Sequence, residues 1–101
     1  MNDPISNEEL LVKVKGGLSI VSNFNDNTLL TKTVAVKQYM LNAGITEQQI
    51  ETELGIATIT IGVTDLWDLN SGEIKFSPAF DILMGQLMIM SIDDTGGVQN
   101  V

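Results

Sequence analysis

The last helical segment constrains this chain most, because it has no wet side. Ser77 followed by Pro78 is a strong helix start: the serine hydroxyl accepts an orphan N–H, and the fixed φ of proline suits the first turn. Beyond it, Ala79, Phe80, Ile82, Leu83, Met84, Leu87, Met88, Ile89, Met90 and Ile92 wrap nearly the whole circumference. Polar Asp81, Gln86 and Ser91 fall in scattered directions, and the helix is expected to run to about Ser91. A helix that is apolar all round is buried all round, so it belongs either at the centre of its own domain or between subunits. Its methionines suit both places, since Met fills irregular gaps and adaptable contact surfaces.

A chain of 101 residues has the size of one domain, so residues 1–101 are read as a single unit. With 44% hydrophobic and only 18% charged residues, a domain this small carries more apolar surface than it can hide. Self-association or a partner surface is the expected destination. The run from Ile82 to Ile92 is interrupted by Gly85, Gln86 and Ser91 and falls short of the roughly 20 residues that span a bilayer, so no membrane role is expected. The opening MNDPISNEEL places acids where a secretory signal needs a basic and then an apolar stretch, which points to a cytosolic product.

Five Lys, no Arg and no His face thirteen Asp plus Glu, a net charge of −8. Gripping nucleic acid takes clustered cations that displace counterions, so specific DNA binding is disfavoured. An acidic wall that DNA slides past is allowed. The absence of Cys excludes disulfides, thiolate catalysis and thiolate zinc sites.

The remaining elements also read as helices. Ser6 or Asn7 caps the first, with Glu8 and Glu9 in its opening turn and Leu10, Leu11, Val14, Leu18 and Val21 on one stripe. Gly16 and Gly17 weaken it, and Ser22 to Asn27 is a loop rich in turn formers. A second helix spans about Thr28 to Ala43, with Leu29 or Leu30, Thr33, Val36 or Lys37, Met40 and Leu41 inward and Gly44 as its stop. Thr46 caps a short third helix, EQQIETEL, in which Ile50 and Leu54 sit four apart. Residues 55–68 fit both periods: Ala57, Ile59, Ile61 and Val63 alternate as a strand does, while Ile56, Ile59, Val63, Leu66 and Trp67 fit a helix. A lone strand lacks a partner, which favours helix. Residues 69–76 form an extended loop around Asn70, Ser71 and Gly72, and the tail from Asp93 to Val101 has no core and is expected to be flexible. The fold class is therefore all-α, a small bundle of four to five helices.

Chemistry is hard to place. Nucleophilic catalysis most often pairs a hydroxyl or thiol with His, and both His and Cys are missing, so no enzyme activity and no catalytic residue are expected. Asp65 and Asp68 lie three apart, but acid–base pairs usually face each other across a cleft from separate elements. Asp68 to Gly72 follows the start of a calcium loop, yet Ala79 stands where its bidentate Glu belongs. Gly16-Gly17 and Gly96-Gly97 lack the spacing and the Lys of a phosphate loop. No cofactor or metal is expected.

One pattern is distinctive. Gly62-Val63-Thr64-Asp65-Leu66-Trp67-Asp68, then Asn70-Ser71-Gly72-Glu73-Ile74-Lys75-Phe76-Ser77 and a closing apolar helix, resembles the C-terminal half of small phage head-tail connector proteins. The likeness covers about residues 56–90, and the N-terminal helices agree in length and order. It implies a helix over residues 56–68 ending at Trp67, a loop to Phe76, and the apolar helix packed on its predecessors.

The resemblance further implies a virion neck protein, made in the host cytoplasm. It would form a homo-oligomeric ring of about a dozen copies between the portal protein and a tail or head-closure protein, with DNA passing through unbound. Trp67, Asn70, Phe76, Phe80, Met84 and Met88 are the expected subunit or partner contacts. Of the acids Glu8, Glu9, Glu51, Glu53, Asp65 and Asp68, some are expected to line the lumen, Glu51, Glu53, Asp65 and Asp68 foremost. The rival class is a small acidic phage or prophage protein that inhibits a host protein by binding it or mimicking DNA, though mimicry needs carboxylates in stripes and these are dispersed.

Overall fold

In a computed structural model, which describes residues 5–67 and 76–90, the chain folds as five α-helices with no strand among those residues. They are α1 (Asn7–Gly17), α2 (Asp26–Asn42), α3 (Glu47–Glu51), α4 (Glu53–Trp67) and α5 (Pro78–Ile89). The all-α expectation holds. The loop at 69–75 and the tail from Asp93 lie outside the described residues.

Local chemistry sets each boundary. Ser6 opens α1 with a reciprocal capping box: Glu9 N–H donates to Ser6 Oγ at 3.1 Å, and Ser6 N–H donates to Glu9 Oε1 at 3.1 Å. Thr46 and Gln49 repeat the device at α3, at 3.1 and 2.9 Å. α1 and α2 end in the same double bond pattern, from Ser19 and Ile20 to Gly16 and Lys15, and from Gly44 and Ile45 to Leu41 and Met40. The left-handed residue is Gly44 at φ 107° in the second case and Ser19 at φ 59° in the first. α1 thus stops at Gly17, and Val21, expected on its apolar stripe, lies beyond the helix and is 95% exposed.

A second correction concerns EQQIETEL, which is two helices rather than one. The Thr52 hydroxyl donates to Gln49 O at 2.7 Å, closing α3, and accepts from Gly55 N–H at 3.0 Å, opening α4. A side chain that serves both ends fixes an extended backbone at ψ 163° between them. Gly55 is buried against the Gln49 and Ile50 carbonyls, where a Cβ has no room.

The ambiguous segment is helical throughout, and its threonines explain how. Thr58, Thr60 and Thr64 each donate to the carbonyl four residues back, at 2.7, 2.8 and 3.0 Å, so their hydroxyls are paired within the helix. Ile59 and Val63 are buried with Gly62, and α4 touches each of the other four helices.

α5 is the largest departure from expectation. Only Phe80, Met84 and Leu87 are buried, spaced four and three apart, while Ile82, Met88 and Ile89 face outward. It is a peripheral helix with one face in the core, ending at Ile89, so the central position is excluded. Phe80 enters a notch where Gly62 meets Val36: a Cβ built on Gly62 would stand 2.7 Å from Phe80 Cε1 and 2.7 Å from Val36 Cγ1.

That notch gives a paired test. Gly62→Ala is expected to destabilise by about 1–2 kcal/mol, overpacking of roughly 1–3 kcal/mol outweighing the gain of about 1 kcal/mol in helix propensity. Gly85→Ala, on the open side of α5, is expected to stabilise by about 0.5–1 kcal/mol. Urea midpoints of the two variants should move in opposite directions.

Candidate functional site

α5 is clamped at both ends, which holds in place the face that it offers to solvent. At its start, Ser77 N–H and Oγ–H both donate to Asp65 Oδ2, at 2.9 and 2.8 Å, while Ser77 Oγ accepts from Phe80 N–H at 3.2 Å. The last turns of α4 therefore hold the N-cap of α5. At its end, the buried Gln49 side chain donates through Nε2 to Leu87 O at 2.8 Å and to Met90 O at 3.2 Å. Leu87 O also accepts from Met90 N–H at 3.1 Å, and the Met90 carbonyl lies at the C-cap, where helical partners run out. Phe76 stacks on Phe80 with centroids 4.1 Å apart and planes at 17°, and Tyr39 closes the cluster 4.9 Å from Phe76.

The expected contact residues divide accordingly. Phe80 and Met84 are core residues, unavailable to a partner in this conformation. Phe76 is half-buried in the aromatic cluster, and Trp67 and Met88 are exposed. Asn70 lies outside the described residues, as does Asp68. Among the candidate lumen acids, Glu8 and Glu53 are exposed in the first turns of α1 and α4, Glu9 is exposed in its capping box, and Glu51 is exposed with its Oε2 accepting from Ile5 N–H at 3.0 Å. Asp65 is half-buried and engaged with Ser77, a structural task that spacing alone does not reveal.

Apart from Val12, Val21 and Tyr39, the exposed large apolar side chains gather in two places. One is the outer face of α5, where Ile82 is 63% and Ile89 77% exposed, with Met88 on its flank. The other surrounds a cleft of about 280 Å³ between the end of α1, the loop into α2 and the end of α4, lined by Leu18, Ile20, Phe24, Val63 and Trp67. Phe24 on its rim is 88% exposed. An ion pair shapes this cleft: Lys15 Nζ lies 2.7 Å from Asp26 Oδ1 and donates to Asn23 Oδ1 at 2.9 Å, fastening the loop to α1. Lys32 Nζ stands 5.6 Å from the Trp67 ring centroid, a cation over an aromatic face. A shallower groove over α4, floored by Ile56, Ala57, Ile61 and Leu83, has Lys13, Glu51 and Glu53 at its edges.

Both patches suit docking of apolar side chains. Ile82 and Ile89 escape sequence reasoning as contact residues, because period and composition do not say which half of a uniformly apolar helix faces in, and Phe24, in the loop between α1 and α2, carries no periodic signal. Among the described residues no three His, Cys, Asp or Glu gather where they could hold a metal ion, and no helix is long and apolar enough to cross a membrane. No family model, curated protein or solved structure matches the chain.

The N-terminal clamp can be measured by a double-mutant cycle. Asp65→Ala is expected to cost about 1–3 kcal/mol, since it leaves the Ser77 N–H without its acceptor, and Ser77→Ala about 1 kcal/mol. The double variant should lose less than the sum, because the two share one hydrogen bond. Additive losses in chemical denaturation would show that the bond is not made.

Proposed function

We propose that the chain is a structural subunit of a tailed-phage neck, working by assembly alone. Copies form a ring of about a dozen that joins the portal protein to a tail or head-closure protein and lets DNA pass. No catalysis and no cofactor enter this role. The observation that carries it is the pair of uncovered apolar patches, on α5 and around Trp67, in a small acidic domain. Supporting it is the residue pattern from Gly62 through Trp67 to Ser77 and the apolar helix that follows, which resembles the connector family. The start of α5 at Pro78, after α4, agrees with the order of elements that this likeness implies.

The charge fits passage rather than capture. A net charge of −8 on each copy repels phosphate at long range, and Glu8, Glu51 and Glu53 are exposed acids that can face a lumen without being consumed by ion pairs among the described residues.

Light scattering and analytical ultracentrifugation of the pure protein, with and without portal, test the proposal. A closed ring that binds portal is expected, and raising salt from about 0.01 M to 0.15 M should strengthen self-assembly, since screening shortens from about 30 to 8 Å the range over which the copies repel. A monomer or dimer that ignores portal but competes with DNA for a host protein would overturn it in favour of the acidic inhibitor.

A further inference from the structure

We propose that copies join head to tail, the outer face of α5 in one copy seating Ile82 in the Trp67 cleft of the next. The proposed ring, on which this contact rests, supplies the occupant, a second copy of this chain, and two features of the molecule select these surfaces. From Ile82 to Met90 the helix carries no charge, in a chain with net charge −8, so two acidic copies can approach there without repulsion. The cleft is mostly apolar, with polar Ser22, Asn25 and Thr64 beside Phe24, Val63 and Trp67, and it is open to such a side chain.

The edge charges are complementary. Asp81 is exposed, immediately precedes Ile82, and has no ion pair among the described residues. Lys32, over the Trp67 ring, has no carboxylate partner among them either; its Nζ only reaches Leu66 O at 3.5 Å. Ile82 lodged beside Trp67 brings Asp81 of one copy towards Lys32 of the next. The outer face of α5 and the cleft are different surfaces, so the contact is heterologous: it repeats from copy to copy and closes a ring when the rotation permits. Direct pairing of two α5 helices is isologous and stops at a dimer.

The chain has no cysteine, so introduced thiols report the contact unambiguously. The single variants Ile82→Cys and Phe24→Cys, both at exposed positions, are mixed and treated with a short thiol-to-thiol crosslinker. A mixed dimer, joining position 82 of one variant to position 24 of the other, is expected in preference to either homodimer. Homodimers through position 82 alone, or no crosslink, overturn the proposal. As a second measurement, Asp81→Lys and Lys32→Asp should each weaken self-association about two- to five-fold, and the double variant should recover it; a double variant as weak as the worse single one counts against the pairing. Crosslinking without portal binding retains this contact and removes the neck assignment, whereas a portal-bound ring without the mixed crosslink does the reverse.

Discussion

The absence of a side chain at Gly62 is the constraint on which the rest of the packing depends. It lets Phe80 of α5 and Val36 of α2 meet on α4 closer than any Cβ would allow, and both are fully buried there. Burying a side chain of the size of Phe80 contributes about 1.5–3 kcal/mol, more than one hydrogen bond of a cap, so the notch fixes the rotation of α5 about its own axis. Once Phe80 points in, Met84 and Leu87 follow at helical spacing, and Ile82 and Ile89 must point out. The exposed apolar face is thus a geometric consequence of a glycine on another helix.

Rotation alone does not fix a helix of 12 residues, and its ends are held separately. Asp65 grips the first turn through Ser77, and Gln49 grips the last through the carbonyls of Leu87 and Met90. Gln49 also accepts from Thr46 N–H, so one amide side chain ties the start of α3 to the end of α5. A surface presented by a helix clamped in this way gives up little conformational freedom on docking, which favours a defined contact over a sticky one.

Much of this is legible in the residues themselves. Ser6, Thr46 and Ser77-Pro78 mark helix starts, and Gly44 marks a stop, because each supplies a hydrogen-bonding group or backbone angle that helix ends require. The inward stripe of α2 is legible only in part: Thr33 and Met40 are fixed by period, but Leu29 competes with Leu30 and Val36 with Lys37, and Leu41 reads as inward although only Leu29, Thr33, Val36 and Met40 are buried. Where neighbours are equally apolar the signal vanishes, and α5 reads as buried all round when only its Phe80 side is. Thr52 gives no warning, because a single Thr in a helical pattern does not announce that its hydroxyl serves two helices. Val21 carries a similar ambiguity: it continues the stripe of α1 by period, but Ser19 has already turned the chain. The aromatic cluster brings Tyr39 onto Phe76 and Phe80, which lie far from it in sequence, and that contact has no local signature.

Net charge and apolar surface oppose one another in a way that suits a subunit. A charge of −8 keeps free copies apart over distances comparable with the screening length, about 8 Å at physiological salt. Apolar attraction acts only at contact and grows with the area that is matched. Random collisions between two such molecules therefore meet repulsion and little reward, whereas a collision that places an uncharged helix face on an uncharged cleft meets the reverse. In the proposed contact Asp81 and Lys32, at the edges of those surfaces, would matter less for strength than for orientation, since exposed ion pairs contribute only about 0–1 kcal/mol. What an all-α domain of this size lacks in core, it would recover in the proposed contact by burying Ile82, Ile89, Phe24 and Trp67 between copies, each adding at most about 1.5–3 kcal/mol and Trp67, only 44% exposed, less. Stability and assembly would then draw on the same side chains, which is why a small acidic domain can leave them exposed without a fault in its own core.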